Sequence, residues 1–266
     1  MLVSVITPTH GGSPFIRETY RSLVDQSMPD GWSWEWLLQE DGSEPSLDGS
    51  TFADPRVRYE ANGTRLGVAM TRNMALSRAR GQFVQVLDHD DLLLADALNR
   101  HIDALSDARI GWAIGQADDL LPDGTRESFA PLIPLGLVSK GAVIDYAVAN
   151  GGNFPLHCAN LFARTPLIRA LGGWAASPAD EDLVLAAALS ELASGWHGAD
   201  VTWLYRQHAS QITRDPRTTK WSELSRRIAL QRADAVRQTG LVFGNSSTDA
   251  EGGLRIEIGP AEKRPS

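Results

Sequence analysis

Phe83-Val84-Gln85-Val86-Leu87-Asp88-His89-Asp90-Asp91 joins a short apolar run to an acidic end. The apolar part predicts a buried strand, and the acidic residues then lie at its carboxyl end. Asp88 and Asp90 form a D-x-D pattern, and their carboxylate oxygens are ligands that hard cations such as Mg²⁺ and Mn²⁺ prefer. An isolated D-x-D is more often an acidic helix start, and Asp91 is predicted to cap a helix over residues 92–105.

Strand and helix patterns alternate around this run through the first 115 residues. Strands are predicted at residues 2–6, 36–39, 83–87 and 110–115. Helices are predicted from Pro14, with Ser13 as the N-cap, and over residues 66–80, ending at Gly81. The alternation is typical of a parallel sheet covered by helices. Polar clusters at 7–12, 40–43 and 88–91 follow strand ends, where open α/β sheets bind their ligands.

Residues beyond 115 show a less regular pattern. Helices are predicted at 140–148, 165–171, 177–192 and 221–236, strands at 159–163, 201–205 and 254–258, and a turn at 118–124. We expect one domain in two halves, residues 1–115 and 116–215. An extension at 216–266 would add a C-terminal helix, a candidate edge strand and a loose tail.

The composition is that of an ordinary globular protein. The chain has 266 residues, 42% of them hydrophobic, and 25 Lys and Arg against 33 Asp and Glu give a net charge of -8. This acidic balance argues against nucleic acid as a partner, because binding to phosphates normally requires a basic surplus. The single cysteine, Cys158, excludes an internal disulfide. We expect a cytoplasmic protein, since the sequence has neither a basic leader nor about 18 consecutive apolar residues.

Four blocks of the N-terminal half resemble family 2 glycosyltransferases of the GT-A fold. They are Val3-Ser4-Val5-Ile6-Thr7-Pro8-Thr9, Glu40-Asp41-Gly42-Ser43, Gly67-Val68-Ala69-Met70-Thr71-Arg72-Asn73-Met74-Ala75-Leu76 and the run from Ala79 to Asp91. The resemblance implies a mostly parallel, Rossmann-like sheet flanked by helices. Residues 1–115 would bind a nucleotide sugar, and residues 116–215 would bind the acceptor and supply the catalytic base.

The resemblance also implies a reaction. A glycosyl group would move from a nucleotide diphosphate sugar, with UDP as the expected nucleotide, to a hydroxyl of a small-molecule, glycan or lipid-linked acceptor. Mn²⁺ or Mg²⁺ would assist by neutralising the diphosphate. We expect inversion at the anomeric carbon, because the sequence offers a base but no separate carboxylate that we can place as a nucleophile.

Donor-binding roles follow from the resemblance for residues of the first half. Thr7-Pro8-Thr9 would line the base and ribose pocket, and Asp41 would hydrogen-bond the nucleobase or ribose. Arg72 would lie near the base and diphosphate, and Asp88 would contact the ribose or a metal-bound water. An exposed helix arginine paired with a carboxylate is an equally acceptable interpretation of Arg72.

Metal-binding roles are implied for two residues. Asp90 would bind the divalent cation directly. His208, in Tyr205-Arg206-Gln207-His208, would approach the metal or the diphosphate, since imidazole is a competent ligand. A surface histidine is an equally acceptable interpretation of His208.

The catalytic base is expected in the pair Glu181-Asp182, and Asp182 matches the second acid of the family's E-D motif. Acidic residues are also favoured in the first turn of any helix by its dipole, and Asp180 is an alternative base. The apolar residues that follow, Leu183-Val184-Leu185, depart from the family pattern and leave the acceptor side open.

Trp174 and His157 are the candidates for acceptor binding. Trp174 follows Gly172-Gly173 just before the acidic pair, so its ring is expected to stack on a sugar. His157 is expected to face the acceptor, with a hydrogen-bonded structural histidine as the alternative.

Two alternatives concern the whole protein. A catalytically degenerate, nucleotide-sugar-binding protein would keep the donor residues and lack turnover. The apolar stripe on the helix over 221–236, with the strand at 254–258, would either form a homodimer contact or cover the edge of the core.

Overall fold

The computed structural model describes residues 1–47, 51–243 and 256–258. Its strands are β1 Leu2–Thr9, β2 Ser33–Glu40, β3 Val57–Ala61, β4 Phe83–Val86, β5 Leu92–Leu93, β6 Ile110–Leu120, β7 Arg126–Ser128, β8 Gly136–Val138, β9 Phe162–Arg164, β10 Ser194–Arg206, β11 Leu241–Phe243 and β12 Ile256–Ile258. Its helices are α1 Ile16–Val24, α2 Val68–Arg78, α3 Ala97–Ala104, α4 Ala142–Ala149, α5 Thr165–Ala170, α6 Glu181–Leu192 and α7 Pro216–Thr239, with 3-10 turns at Cys158–Asn160 and Ile212–Arg214.

One large sheet organises the described residues. Its order is β3-β2-β1-β4-β9-β6-β10-β5, with β7 beside β6 and β8 beside β10. Neighbours are parallel from β3 to β4 and again between β6 and β10. The short β9 is antiparallel to both β4 and β6, so these two strands point the same way. The α/β fold expected from the sequence is confirmed, and the carboxyl ends of β1, β2, β4, β6 and β10 share one edge.

The core lies on both faces of this sheet. Successive strand residues point to opposite faces, so Val5 and Trp36 pack with α1 and α3, whereas Ile6 and Leu37 pack with α2 and α6. Removing a fully buried side chain of this size, such as Leu37→Ala, costs about 2–5 kcal/mol. These two apolar layers therefore hold the site edge rigid.

Helix α7 covers the second half of the domain. Its small residues Ala229 and Ala233 are buried against Val184 and Ala187 of α6, which lets the two helices approach closely. Thus the apolar stripe predicted on this helix covers the core. The helix begins with Asp215, whose side chain accepts from the Arg217 N–H, and ends at Gly240 in the left-handed conformation.

Gly81 does not cap α2, contrary to the prediction. The helix ends earlier, with Ala79 in an extended conformation as its C-cap. A Cβ atom on Gly81 would lie 2.5 Å from the backbone nitrogen of Ser4. The glycine is required because the chain passes close to β1, not because it turns.

The helix predicted over 92–105 starts later, and the capping role of Asp91 is wrong. Leu92 and Leu93 form a strand that pairs with β10, so the helix begins only at Ala97. Asp91 is fully buried and accepts hydrogen bonds from Trp203 Nε1 at 3.0 Å and Arg206 N at 2.9 Å. It joins the end of β4 to β10 instead of capping a helix.

Other element boundaries also shift. Asp118, Asp119 and Leu120 extend β6 and are not part of the predicted turn. The strand expected at 159–163 is the 3-10 turn Cys158–Asn160 followed by β9, and β3 was not predicted. Helix α1 begins at Ile16, although Ser13 Oγ does accept from the Phe15 N–H at 3.2 Å.

The C-terminal extension holds a small separate ribbon. Strand β12 pairs antiparallel with β11 and does not join the main sheet as an edge strand. Leu254 and the predicted loose tail lie outside the described residues. None of the helices in the described part is long and apolar enough to cross a membrane.

Candidate active site

The site lies at the edge where the parallel strands end. The first predicted group, Thr7-Pro8-Thr9, forms the end of β1. Thr7 Oγ1 accepts a hydrogen bond from Trp36 Nε1 at 2.8 Å inside the sheet. Thr9 Oγ1 is buried without a hydrogen-bond partner among the described residues. Thr9 therefore has an unpaired hydroxyl, whereas the Thr7 hydroxyl is used by the fold.

Asp41, at the end of β2, organises the loop before α2. Its carboxylate accepts from the backbone N–H groups of Leu66 at 2.6 Å and Gly67 at 3.0 Å. Gly67 has a φ of 84° at the N-cap of α2, a conformation that favours glycine. Asp41 thus fixes the start of the helix that carries Arg72, and its contact with a nucleobase or ribose stays a prediction.

Arg72 is buried at the centre of the site. Its Nη2 donates to Asp88 Oδ1 at 2.5 Å, and its Nη1 forms an ion pair with Glu181. The side chains of Arg72 and Glu181 are only 3% and 8% exposed, against 28% for Asp88. The exposed-arginine interpretation is therefore wrong, and Arg72 joins the carboxyl end of β4 to the start of α6.

Asp182 lies in the first turn of α6, beside this cluster. Its Oδ1 accepts from the Leu183 N–H at 2.8 Å, and the residue is partly exposed. Burial raises the pKa of Asp182, and the charges of Asp88 and Asp180 add to this effect, whereas the Arg72 guanidinium opposes it. A carboxylate with a raised pKa takes up a proton more readily, which suits a general base.

Asp180 precedes α6 in an unusual conformation. Among residues 1–47, 51–243 and 256–258 it is the only non-glycine residue with a positive φ, 48°. Such a conformation costs about 1–3 kcal/mol and persists only where the surroundings impose it. The Ala179 N–H is held by Ser225 Oγ of α7 at 3.3 Å. The loop that carries the acidic residues is thus fixed from the C-terminal helix.

Arg232 of α7 holds the beginning of the same loop, where the chain leaves α5. Its Nη2 donates to the carbonyl oxygens of Leu171 and Gly173, the latter at 3.0 Å. Sequence reasoning missed this contact, since an arginine on an amphipathic helix carries no signal of its target.

Asp90 and His208 meet at the outer side of the site. His208 Nε2 lies 2.9 Å from Asp90 Oδ2, and His208 Nδ1 lies 2.9 Å from Ser210 Oγ. The ring also packs against Phe15, with centroids 5.1 Å apart. Arg206 Nε donates to the carbonyl oxygen of Asp90 at 2.7 Å. Residues that the sequence separates widely, and that were predicted as metal ligands, are thus adjacent.

The donor set of this pair fits a divalent cation that is completed by a substrate. A carboxylate oxygen and an imidazole nitrogen are both competent ligands, and Mg²⁺ or Mn²⁺ bound to a diphosphate needs only one or two protein ligands. Among the described residues, no three His, Cys, Asp or Glu side chains form a group that could hold a metal by itself. The pair therefore fits a cation shared with phosphate oxygens rather than a cation held by protein alone.

Trp174 does not face the site, so the prediction that it stacks on a sugar is corrected. The residue is 2% exposed and packs in the core with residues of α2, α4 and α6. Its backbone N–H donates to Asn73 Oδ1 at 2.9 Å, and Asn73 Nδ2 donates to its carbonyl oxygen at 2.8 Å. These two bonds to α2 draw the indole inward behind the Gly172-Gly173 turn.

His157 lines a cavity next to the site, immediately before the Cys158–Asn160 turn. Burial lowers the pKa of His157, and the charge of Asp119 offsets only part of that change. The thiol of Cys158 has its pKa raised well above the ordinary value by burial and by the charges of Asp182 and Asp180. The turn that contains Cys158 packs against α6, and the expectation that His157 faces the acceptor stays a prediction.

The parallel strands that end at one edge of the sheet, and the ion pairs of Arg72 at that edge, are features of a GT-A type transferase. The model of the family "Glycosyl transferase family 2" matches residues 4–142, and the chain belongs to this family.

The chain is similar to two curated glycosyltransferases and to one solved structure. The chain is 31% identical over 128 residues to "Putative teichuronic acid biosynthesis glycosyltransferase TuaG" of Bacillus subtilis, which covers 47% of this chain and 50% of TuaG. It is 30% identical over 165 residues to "UDP-Glc:alpha-D-GlcNAc-diphosphoundecaprenol beta-1,3-glucosyltransferase WfgD" of Escherichia coli, which covers 58% of this chain and 64% of WfgD. The crystal structure of S. aureus TarS 1-349 in complex with UDP-GlcNAc matches with a TM-score of 0.64 at 15% identity. The match covers 90% of this protein and 70% of the TarS chain. The matched regions thus span half to under two thirds of the two curated relatives, and the likeness to TarS supports the fold.

Proposed function

We propose that this protein is an inverting glycosyltransferase. It transfers a sugar from a nucleotide diphosphate sugar to an acceptor hydroxyl, with residues 1–115 binding the donor and residues 116–215 binding the acceptor. The observation that carries this proposal is the arrangement around Arg72, where the D-x-D end of β4 and the acidic start of α6 meet on one guanidinium.

Asp182 is the catalytic base in this proposal. Glu181 is held in an ion pair with Arg72, whereas Asp182 accepts the Leu183 N–H and is partly exposed. Its carboxylate takes the proton of the acceptor hydroxyl while that oxygen bonds to the anomeric carbon. The bond from this carbon to the diphosphate oxygen breaks, and its electron pair leaves with the nucleoside diphosphate. Attack from the opposite face inverts the configuration.

Mn²⁺ or Mg²⁺ is the proposed cofactor, with Asp90 and His208 as the residues that would hold it. When bound, such an ion supplies Lewis-acid neutralisation of the diphosphate. Arg72 holds one oxygen of Asp88 at 2.5 Å, and the other oxygen is the proposed contact to the ribose or to a metal-bound water. Thr9, with a hydroxyl lacking a partner among the described residues, is the proposed contact to the nucleoside.

UDP is the proposed nucleotide. The name of WfgD contains UDP-Glc, and the structural neighbour TarS was solved with UDP-GlcNAc and with UDP. The same WfgD name contains a diphosphoundecaprenol acceptor, so a glycan or lipid-linked acceptor is part of the proposal.

A homodimer is a further part of the proposal, since the C-terminal extension keeps apolar side chains exposed. Leu224 of α7 is exposed, as is Ile212 in the turn just before the extension. Light scattering of the purified protein measures the mass directly, and a monomer would remove the dimer.

The reaction is tested by matched substitutions in the acidic loop. Asp182→Asn should lower turnover of UDP-glucose or UDP-GlcNAc with Mn²⁺ by roughly a hundredfold or more, the usual contribution of a positioned base, and should leave UDP binding intact. Asp180→Asn is the matched control and should retain turnover. The reverse result would move the base to Asp180.

The stereochemistry and the turnover itself are separate tests. Retention of the donor's anomeric configuration by NMR would refute inversion. UDP-sugar binding without any turnover in the wild type would instead indicate a degenerate, binding-only protein.

A further inference from the structure

A cavity of about 240 Å³ lies over the middle of β6, outside the donor residues. Gln116 and Ala117 form part of its lining, together with the segments around Phe129 and Phe154. None of the described residues that line it is an Asp, Glu, Lys or Arg. A phosphate or carboxylate would have no partner there, since a buried charge must be paired to be tolerated. The ligand that fits is uncharged.

The polar groups of the cavity are arranged in a fixed network. Gln116 Nε2 donates to the Gly198 carbonyl oxygen at 2.7 Å and lies 2.8 Å from His197 Nε2. Both N–H groups of this amide are thereby used, and His197 accepts through Nε2. The amide oxygen of Gln116 has no hydrogen-bond partner among the described residues and remains available as an acceptor.

His157 and Phe129 form one wall at the opening. Their ring centroids are 5.2 Å apart, and Phe129 is 43% exposed. Burial lowers the pKa of His157, so the imidazole is neutral at pH 7 and has one donor and one acceptor nitrogen. The wall therefore combines a flat apolar face with a polar edge.

We propose that this cavity binds a neutral sugar ring of the acceptor. A pyranose has an apolar C–H face, which suits Phe129, and a hydroxyl edge, which suits His157 and the Gln116 oxygen. The volume is below the 300–1,000 Å³ typical of pockets for drug-sized ligands, as expected for a single ring. A hydrocarbon chain would leave the imidazole nitrogens and the amide oxygen unpaired at a cost in free energy.

The position of the cavity relates it to the proposed base. His157 is followed directly by the turn Cys158–Asn160, and this turn packs against α6, the helix that carries Asp182. A ring held on His157 would thus lie near the helix that carries the proposed base. This inference rests on the proposed glycosyl transfer and names the class of its acceptor.

Saturation-transfer NMR with simple glycosides tests the proposal. The probes are methyl β-D-glucopyranoside, methyl β-D-galactopyranoside and methyl N-acetyl-β-D-glucosaminide, with 1-octanol as the hydrocarbon probe. At least one glycoside should bind the wild type, and Phe129→Ala or His157→Ala should weaken that binding about tenfold, as truncation of an anchor residue does. Trp196→Ala is the matched control, because Trp196 is also an exposed aromatic residue but is not in this cavity, and it should bind as the wild type does.

The possible results distinguish the proposed sugar cavity from the proposed glycosyl transfer on which it rests. Binding of octanol alone, binding of none of the glycosides, or glycoside binding that is unchanged in both cavity variants would overturn the sugar site. UDP titration by calorimetry with Mn²⁺ reports on the donor site independently. Failure of UDP to bind, with glycoside binding still sensitive to Phe129→Ala, would contradict the proposed function and support the sugar cavity.

Discussion

Replacing Arg72 with Met removes the cation that Asp88 and Glu181 share. The ion pair between Arg72 and Glu181 accounts for most of the expected loss of stability, because both of its side chains are less than a tenth exposed. Asp88 is 28% exposed and can be solvated. Removing one partner of a buried ion pair leaves an uncompensated charge and costs about 3–5 kcal/mol. We therefore expect Arg72→Met to lower the free energy of unfolding by about that amount.

Thermal unfolding followed by circular dichroism measures this loss. For a domain of this size, each kcal/mol shifts Tm by roughly 2–4 °C, which predicts a decrease of about 6–20 °C. Arg109→Met is the control, since the Arg109 and Asp107 pair is exposed to solvent and its loss should leave Tm unchanged. In Arg72→Met with Glu181→Gln, the stranded charge is absent and part of the stability should return. An Arg72→Met protein as stable as Arg109→Met would refute the assignment of Arg72 as the central cation.

Three further predictions concern the reaction. Asp90→Ala should abolish the Mn²⁺ dependence of UDP binding in calorimetry while the circular dichroism spectrum is unchanged; unaltered affinity would exclude Asp90 as a ligand. The pKa of Asp182 is raised above 3.8, and a base must be deprotonated to accept a proton. We therefore expect kcat to increase with pH over a range above 3.8, and we expect this increase to be absent in Asp182→Asn. Arg232→Met should lower kcat about tenfold or more without changing UDP affinity, because it loosens the loop at Leu171 and Gly173; an equal loss of UDP affinity would contradict a positioning role.

The strands and the acidic strand end could be predicted because their signals are local. The apolar run at Phe83 has the composition of a buried strand, and the polar residues after it lie at the edge where the topology places ligands. Alternation of apolar and polar residues from Val57 to Ala61 was also present, and β3 could have been predicted from it.

Contacts between distant segments could not be predicted in the same way. Nothing near Arg72 in the sequence indicates that it is buried between Asp88 and Glu181, since a helix position of this kind is usually solvated. The burial of Trp174 depends on Asn73, which holds its backbone from another helix. The cavity network of Gln116 and His197 likewise arises from the pairing of β6 with β10.

Strand β9 has a consequence for the preparation of shorter fragments. It lies between β4 and β6 and reaches the sheet from residues 162–164, beyond the end of the family match at residue 142. A fragment cut at residue 142 would expose the unpaired backbone of β4 along Val84 and of β6 along Ala113, where β9 normally binds. Such bare, apolar strand edges pair with other chains. Expression of the matched region alone should therefore give aggregates rather than an isolated donor-binding module.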